Sequence, residues 1–134
     1  MKQHKYLEDN GIKRNEIMEN ICEEHGGDAR SHHWRLQRKI YGFDERETWA
    51  LNTAFVQWLL ERLLMYKDVA SNVIDLTYHK ANYKGKLITQ NEAIDLMVEA
   101  CKEFLSADLW DDRHDKSWKT ITELWSEWGP AMWW

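Results

Sequence analysis

Three short stretches of this chain hold the residue types that bind metals, move protons or grip phosphates. In the first, Cys22 and His25 stand three residues apart, with His32 and His33 following within ten residues. A tetrahedral zinc site takes four nitrogen or sulfur ligands, which this run could supply. The second cysteine of a zinc knuckle is missing, and Cys22 is equally well explained as a small apolar residue on a helix. The second stretch is "DDRHD", in which Asp111, Asp112 and Asp115 flank His114. Such a group can hold a divalent cation or act as a general base, but a charged loop leading into a helix is the commoner use of these residues. The third is "ARSHHWRLQRKIY", residues 29–41, with four Arg or Lys, two histidines, a tryptophan and no acid. On a helix, Arg35, Arg38 and Lys39 face away from Leu36 and Ile40, giving a basic stripe with Trp34 beside it for stacking on a base. Cations near a helix C-terminus also meet its dipole favourably, which accounts for the same charges without a ligand.

Nucleophilic catalysis has less to build on. Cys101 falls in an apolar helical stripe, where a buried inert thiol is the ordinary reading. No G-x-S-x-G, P-loop or G-x-G-x-x-G occurs, and the adjacent glycines Gly26 and Gly27 precede Asp28, which suits a phosphate poorly. No catalytic residue, metal-ligand set or cofactor is assigned on these grounds. The candidate contacts to a partner or nucleotide are Trp34, Arg35, Arg38 and Lys39, with Asp111, Asp112 and Asp115.

Helices must position all of these residues. Residues 12–25 show a short helical period in Ile17, Ile21 and Met18, Cys22. Ser31 reads as the N-cap of a second helix that ends at Gly42. Asp44 and Glu47 form a D-x-x-E variant of the capping box, opening a helix over about 45–69. Its stripe of Phe55, Leu59, Leu63 and Tyr66, with Val56, Leu60 and Leu64 beside it, is broad enough to be buried against more than one neighbour. Residues 71–88 mix β-branched and aromatic residues with asparagines and Tyr-Lys-Gly-Lys, so they fit a loop or a short extended piece. Thr89 and Glu92 make a second capping box, before a helix carrying Ala93, Leu96, Met97, Ala100, Cys101 and Phe104. In the last helix Trp118, Ile121, Trp125 and Trp128 share one face, and Gly129-Pro130 stops it. The pattern predicts an all-α, single-domain bundle of four or five helices around the central helix at about 45–69, with residues 1–40 as an N-terminal helical extension. Trp133 and Trp134 then complete an aromatic cluster, with at least Trp133 buried.

Composition narrows the function classes. The chain has 134 residues, 43% hydrophobic and 31% charged, which suits a globular protein and argues against general disorder. A net charge of −5 argues against coating nucleic acid by charge alone. The acidity is uneven, since residues 1–40 carry 8 Lys and Arg against 7 Asp and Glu while residues 106–134 carry 3 against 6. Two distant cysteines suit a reducing cytosol better than a disulfide framework. No basic start with an apolar run marks a secretory signal, and no window approaches a membrane span. Nine tryptophans are more than four or five short helices need, and large aromatics of this kind anchor interfaces.

The stretch from Tyr41 to Lys67 resembles a group of small, mostly uncharacterised helical proteins encoded by bacteriophages and prophages. The pattern consists of Gly42-Phe43, the acidic cap at Asp44, Trp49, Leu51-Asn52 and a long apolar helix reaching Arg62-Leu63. Thr89 to Phe104 and the aromatic end from Trp125 to Trp134 are similar as well, so the likeness spans about the last 95 residues. Asn52 stands where an Asp is frequent, and "DLWDDRHDKSW" is longer than the usual connection. The resemblance implies phage origin and expression in the cytoplasm of an infected bacterium, and it carries no catalytic residues with it.

The leading expectation is a non-enzymatic phage accessory protein of inhibitor or anti-defence type that binds a host or defence-system protein, a nucleoprotein included. No membrane is involved, and a homodimer stays open. A module that sequesters a nucleotide or short nucleic acid through residues 30–41 is the second reading. A metal-dependent enzyme built from Cys22, His25 and "DDRHD" is the third.

Overall fold

The computed structural model of the chain describes residues 29–134. Among the described residues, four α-helices carry the fold and one two-stranded hairpin stands between the second and third, so the chain is all-α in class. The helix expected over 12–25, with Cys22 and His25, lies outside the described residues. The chain divides into two compact units, one ending at Phe55 and one running from Val56 to Trp134, and each is taken by itself.

In the first unit, α1 (Ala29–Tyr41) begins two residues before Ser31, which therefore lies within the helix and is not its cap. Its end is as expected: Gly42 takes φ +84° and its N–H bonds to the Arg38 carbonyl at 2.9 Å, the left-handed stop that glycine tolerates best. The inner face is not the expected one. Leu36 and Ile40 are exposed, and among the side chains described on this helix Trp34 is the buried one. Arg38, one turn after Trp34, shares its side of the helix.

The central helix also starts later than the periodicity suggests. Asp44 caps a single 3-10 turn (Glu45–Thr48), and α2 proper spans Leu51–Ala70. The Asp44 side chain accepts from the Arg46 N–H at 3.0 Å, so the expected pairing with Glu47 does not form. Bonds from Glu47 N–H to the Asp44 carbonyl and from Trp49 N–H to the Arg46 carbonyl wind this segment too tightly for α geometry.

In the second unit α2 buries Val56, Leu59, Leu60, Leu63 and Ala70, close to the expected stripe, while Leu64 and Tyr66 are half-buried. Residues 80–89 form the hairpin: β1 (Lys80–Tyr83) pairs antiparallel with β2 (Lys86–Thr89), Ala81 opposite Ile88. Lys84 and Gly85 both have positive φ, +50° and +78°. Those angles make the type I′ turn that matches strand twist. Ile88 points inward and is buried. Thr89 ends β2 and caps α3 (Gln90–Ser106), its hydroxyl oxygen accepting the Glu92 N–H at 3.1 Å.

The helix α3 buries Ala93, Ile94, Met97, Val98, Ala100, Cys101 and Phe104, but Leu96 faces outward. It packs closely along α4 (Asp112–Trp128), whose inner face holds Ile121, Leu124 and Trp128. Trp118 and Trp125 are half-buried. The aromatic clasp expected at the C-terminal end does not close, because Trp133 is 75% exposed and Trp134 59%. Gly129 keeps helical angles and leads into a further 3-10 turn, Gly129–Ala131, so the chain does not reverse there. The Tyr66 hydroxyl donates to the Trp133 carbonyl at 3.5 Å, which holds backbone and leaves the indole outside. No helix among the described residues is long and apolar enough to cross a membrane.

Candidate functional site

The basic segment of α1 is organised around a buried network rather than an open stacking surface. Trp34 is 1% exposed, its indole N–H donates to Glu45 Oε1 at 2.9 Å, and the Arg46 guanidinium lies 4.5 Å over its ring. The edge of Trp49 completes the surround at 6.2 Å. Asp44 gathers the charges, accepting from Arg46 Nε at 2.8 Å, Arg46 Nη2 at 2.7 Å and Arg38 Nη1 at 2.6 Å. Burial alone would push the Asp44 carboxyl up, but the bonds from Arg46 and Arg38 outweigh it and hold the group below its ordinary value. Trp34 therefore offers no open face to a base, and Arg38 is already occupied. Of the basic stripe expected from the sequence, Arg35 and Lys39 remain outward.

The "DDRHD" residues lie where α3 turns into α4, and their roles differ. Asp111 is the N-cap of α4: one oxygen accepts the Arg113 N–H at 2.9 Å, and the other takes both arms of its guanidinium at 2.9 and 2.8 Å. These bonds from Arg113 hold the Asp111 carboxyl below its ordinary value and tie up its charge. Asp112 and Asp115 are exposed, and His114 Nδ1 lies 3.9 Å from Asp115. No group of three or more metal-type ligands occurs among the described residues. Cys101 is buried, and burial pushes its thiol up to about 12, far from the thiolate a nucleophile needs.

The residue that sequence reasoning passed over is Trp110. It is 93% exposed, beside Leu109 at 64%, on the loop between α3 and α4. Asp108 and Asp112 flank it, both exposed and without a salt bridge to any described residue, so the loop shows one indole, one isobutyl group and exposed carboxylates. The loop is braced from within. Asp111 N–H bonds to the Asp108 carbonyl at 2.9 Å, and His114 N–H to the Asp111 carbonyl at 2.9 Å. The His114 ring lies 4.1 Å from that of buried Phe104, which also meets Trp118 at 5.7 Å. The Ser117 hydroxyl donates to the Arg113 carbonyl at 2.6 Å. A sequence signal did exist: Trp110 is followed three and four residues later by Arg113 and His114, so no apolar helical face claims it.

Compared with protein-family profiles, curated proteins and solved structures, the chain matches none. The arrangement of these side chains is what bears on function. It joins Trp34 and Arg38 in one structural network and sets Asp112 two residues after an exposed indole on a braced turn, with Asp115 exposed in the first turn of the helix that follows.

Proposed function

We propose that the protein is a non-enzymatic binding protein of phage-accessory type, whose loop over residues 107–111, with the first turn of α4, occupies an apolar, cation-rimmed site on a host or defence-system protein. The observation that carries this reading is Trp110, an indole 93% exposed on a loop whose backbone is already fixed. Tryptophan is the residue most enriched among interface anchors, and a preorganised one loses little entropy on binding. Asp108, Asp112 and Asp115 around it are complementary to arginines and lysines, including those of a site that otherwise holds nucleic acid. An infected bacterial cytoplasm is the matching location.

The test is retention of a protein from bacterial lysate at low salt by the wild type and by Trp110→Ala. Truncating an anchor costs about 2 kcal/mol or more, which is about 30-fold in affinity. A retained protein that is released by salt and lost from the variant supports the reading. A monodisperse wild type that holds no macromolecule, or a variant that holds the same protein equally well, rejects it.

A further inference from the structure

A groove of about 520 Å³ lies between the hairpin and α3, walled by Tyr83, Lys84, Lys86, Ile88, Glu92 and Leu96, with Asp95 and Glu99 along its rim. Its floor is apolar, through Ile88, Leu96 and the Tyr83 ring. The acids on its α3 side are largely answered: Asp95 is bonded by Lys67, and Glu99 lies 3.6 Å from Lys102. Glu92 sits in the first turn of α3, where the helix dipole favours it. On the hairpin side, Lys84 and Lys86 make no ion pair with another described residue, and Lys84 only rests over Tyr83 at 5.3 Å. From residue 76 to residue 91 the sequence has three lysines and no acid.

The groove thus wants an apolar group accompanied by carboxylates, and the Trp110 loop is such a group. One chain cannot satisfy itself. The hairpin adjoins the N-terminal end of α3 and the loop follows its C-terminal end, 17 residues away along the helix, a length of about 25 Å. Two chains with their α3 helices antiparallel bring each loop beside the other's hairpin.

We infer that two copies of this protein pair about a two-fold axis, each seating its Trp110 indole in the other's hairpin groove. Asp108 and Asp112 then face Lys84 and Lys86 across both halves of the contact. The arrangement uses each knob and each groove once, so it closes as a dimer and does not grow into a filament. Two indoles of about 150–250 Å² each fall short of the roughly 800 Å² per partner of a stable complex. Pairing is accordingly weak and dependent on salt. It does not depend on a host partner, although such a partner would compete for the same loop.

Sedimentation equilibrium of the purified full chain tests this separately from any capture from lysate. The mass is expected to rise from 16.2 kDa towards twice that value between micromolar and millimolar protein at low salt. About 0.5 M salt, which shortens screening to a few ångströms, should return it to the monomer. Trp110→Ala and the pair Lys84→Glu with Lys86→Glu should each abolish the rise, with helical content checked by circular dichroism. Mixing the Lys-to-Glu variant with Asp108→Lys/Asp112→Lys should restore it as a mixed pair, because both of its contacts then set opposite charges face to face. A wild type that stays monomeric throughout, or Trp110→Ala pairing as the wild type does, overturns the inference.

Discussion

Replacing Asp44 by Ala is the sharpest test of the packing in the first unit. Its carboxylate accepts four hydrogen bonds, three from Arg46 and one from Arg38, at 2.6 to 3.0 Å. Arg46 is only 6% exposed, so the substitution takes from a buried guanidinium the carboxylate that accepts two of its N–H bonds, while the Trp34 ring stays beneath it. Removing one partner of a buried pair costs about 3–5 kcal/mol. Loss of the cap on the Arg46 N–H is part of that figure and accounts for about 1 kcal/mol of it. For 134 residues, unfolding together, each kcal/mol moves Tm by about 3–4 °C, so Asp44→Ala should melt about 10–18 °C lower. Differential scanning calorimetry with near-ultraviolet circular dichroism would measure it. Asp44→Ala with Arg46→Met should recover much of the loss, because both charges are gone. The pH dependence has a definite sign. A carboxyl whose folded-state value is depressed contributes fully above its unfolded value and loses the contribution as pH falls through the folded one. The gap between wild type and Asp44→Ala should therefore close below about pH 4. A variant within about 1 kcal/mol of wild type at neutral pH would refute the claim that this ion cluster holds α1 to the turn after it.

Three further outcomes follow from burial. Trp128 is fully buried and its indole N–H has no partner among the described residues; Trp128→Ala should cost about 3–5 kcal/mol in urea unfolding, and Trp128→Phe about 1–2, because the lost N–H made no bond. Cys101 should resist iodoacetamide at pH 8 in the native protein and react once unfolded, as read by peptide mass mapping; native labelling would contradict its burial. Replacing Trp133 and Trp134 together by Ala should change stability by less than about 1 kcal/mol, against the 3–5 expected of a core aromatic, since both indoles are exposed.

The local signals of this chain were legible. Gly42 stops α1, Thr89 caps α3, and the Val56, Leu59, Leu60 and Leu63 stripe lies inside, because each depends on neighbours within one or two turns. What failed was anything set by a choice between competing partners. Leu36 and Ile40 look like the buried face of α1, yet Trp34 takes that place, since only Trp34 finds both an acceptor in Glu45 and a cation in Arg46. Asp44 looks like a helix cap, yet the guanidinium of Arg46 draws it into a tighter turn. The sequence by itself determined that the described part of the chain is helical, where α1 stops and where α3 is capped. Tertiary structure alone decided which indoles are core and which are surface: it buried Trp34 and Trp128 and left Trp110, Trp133 and Trp134 outside. Helical periodicity ranks residues by face; exposure depends on what packs against them, and Trp110, on a loop outside both helices, is left 93% exposed.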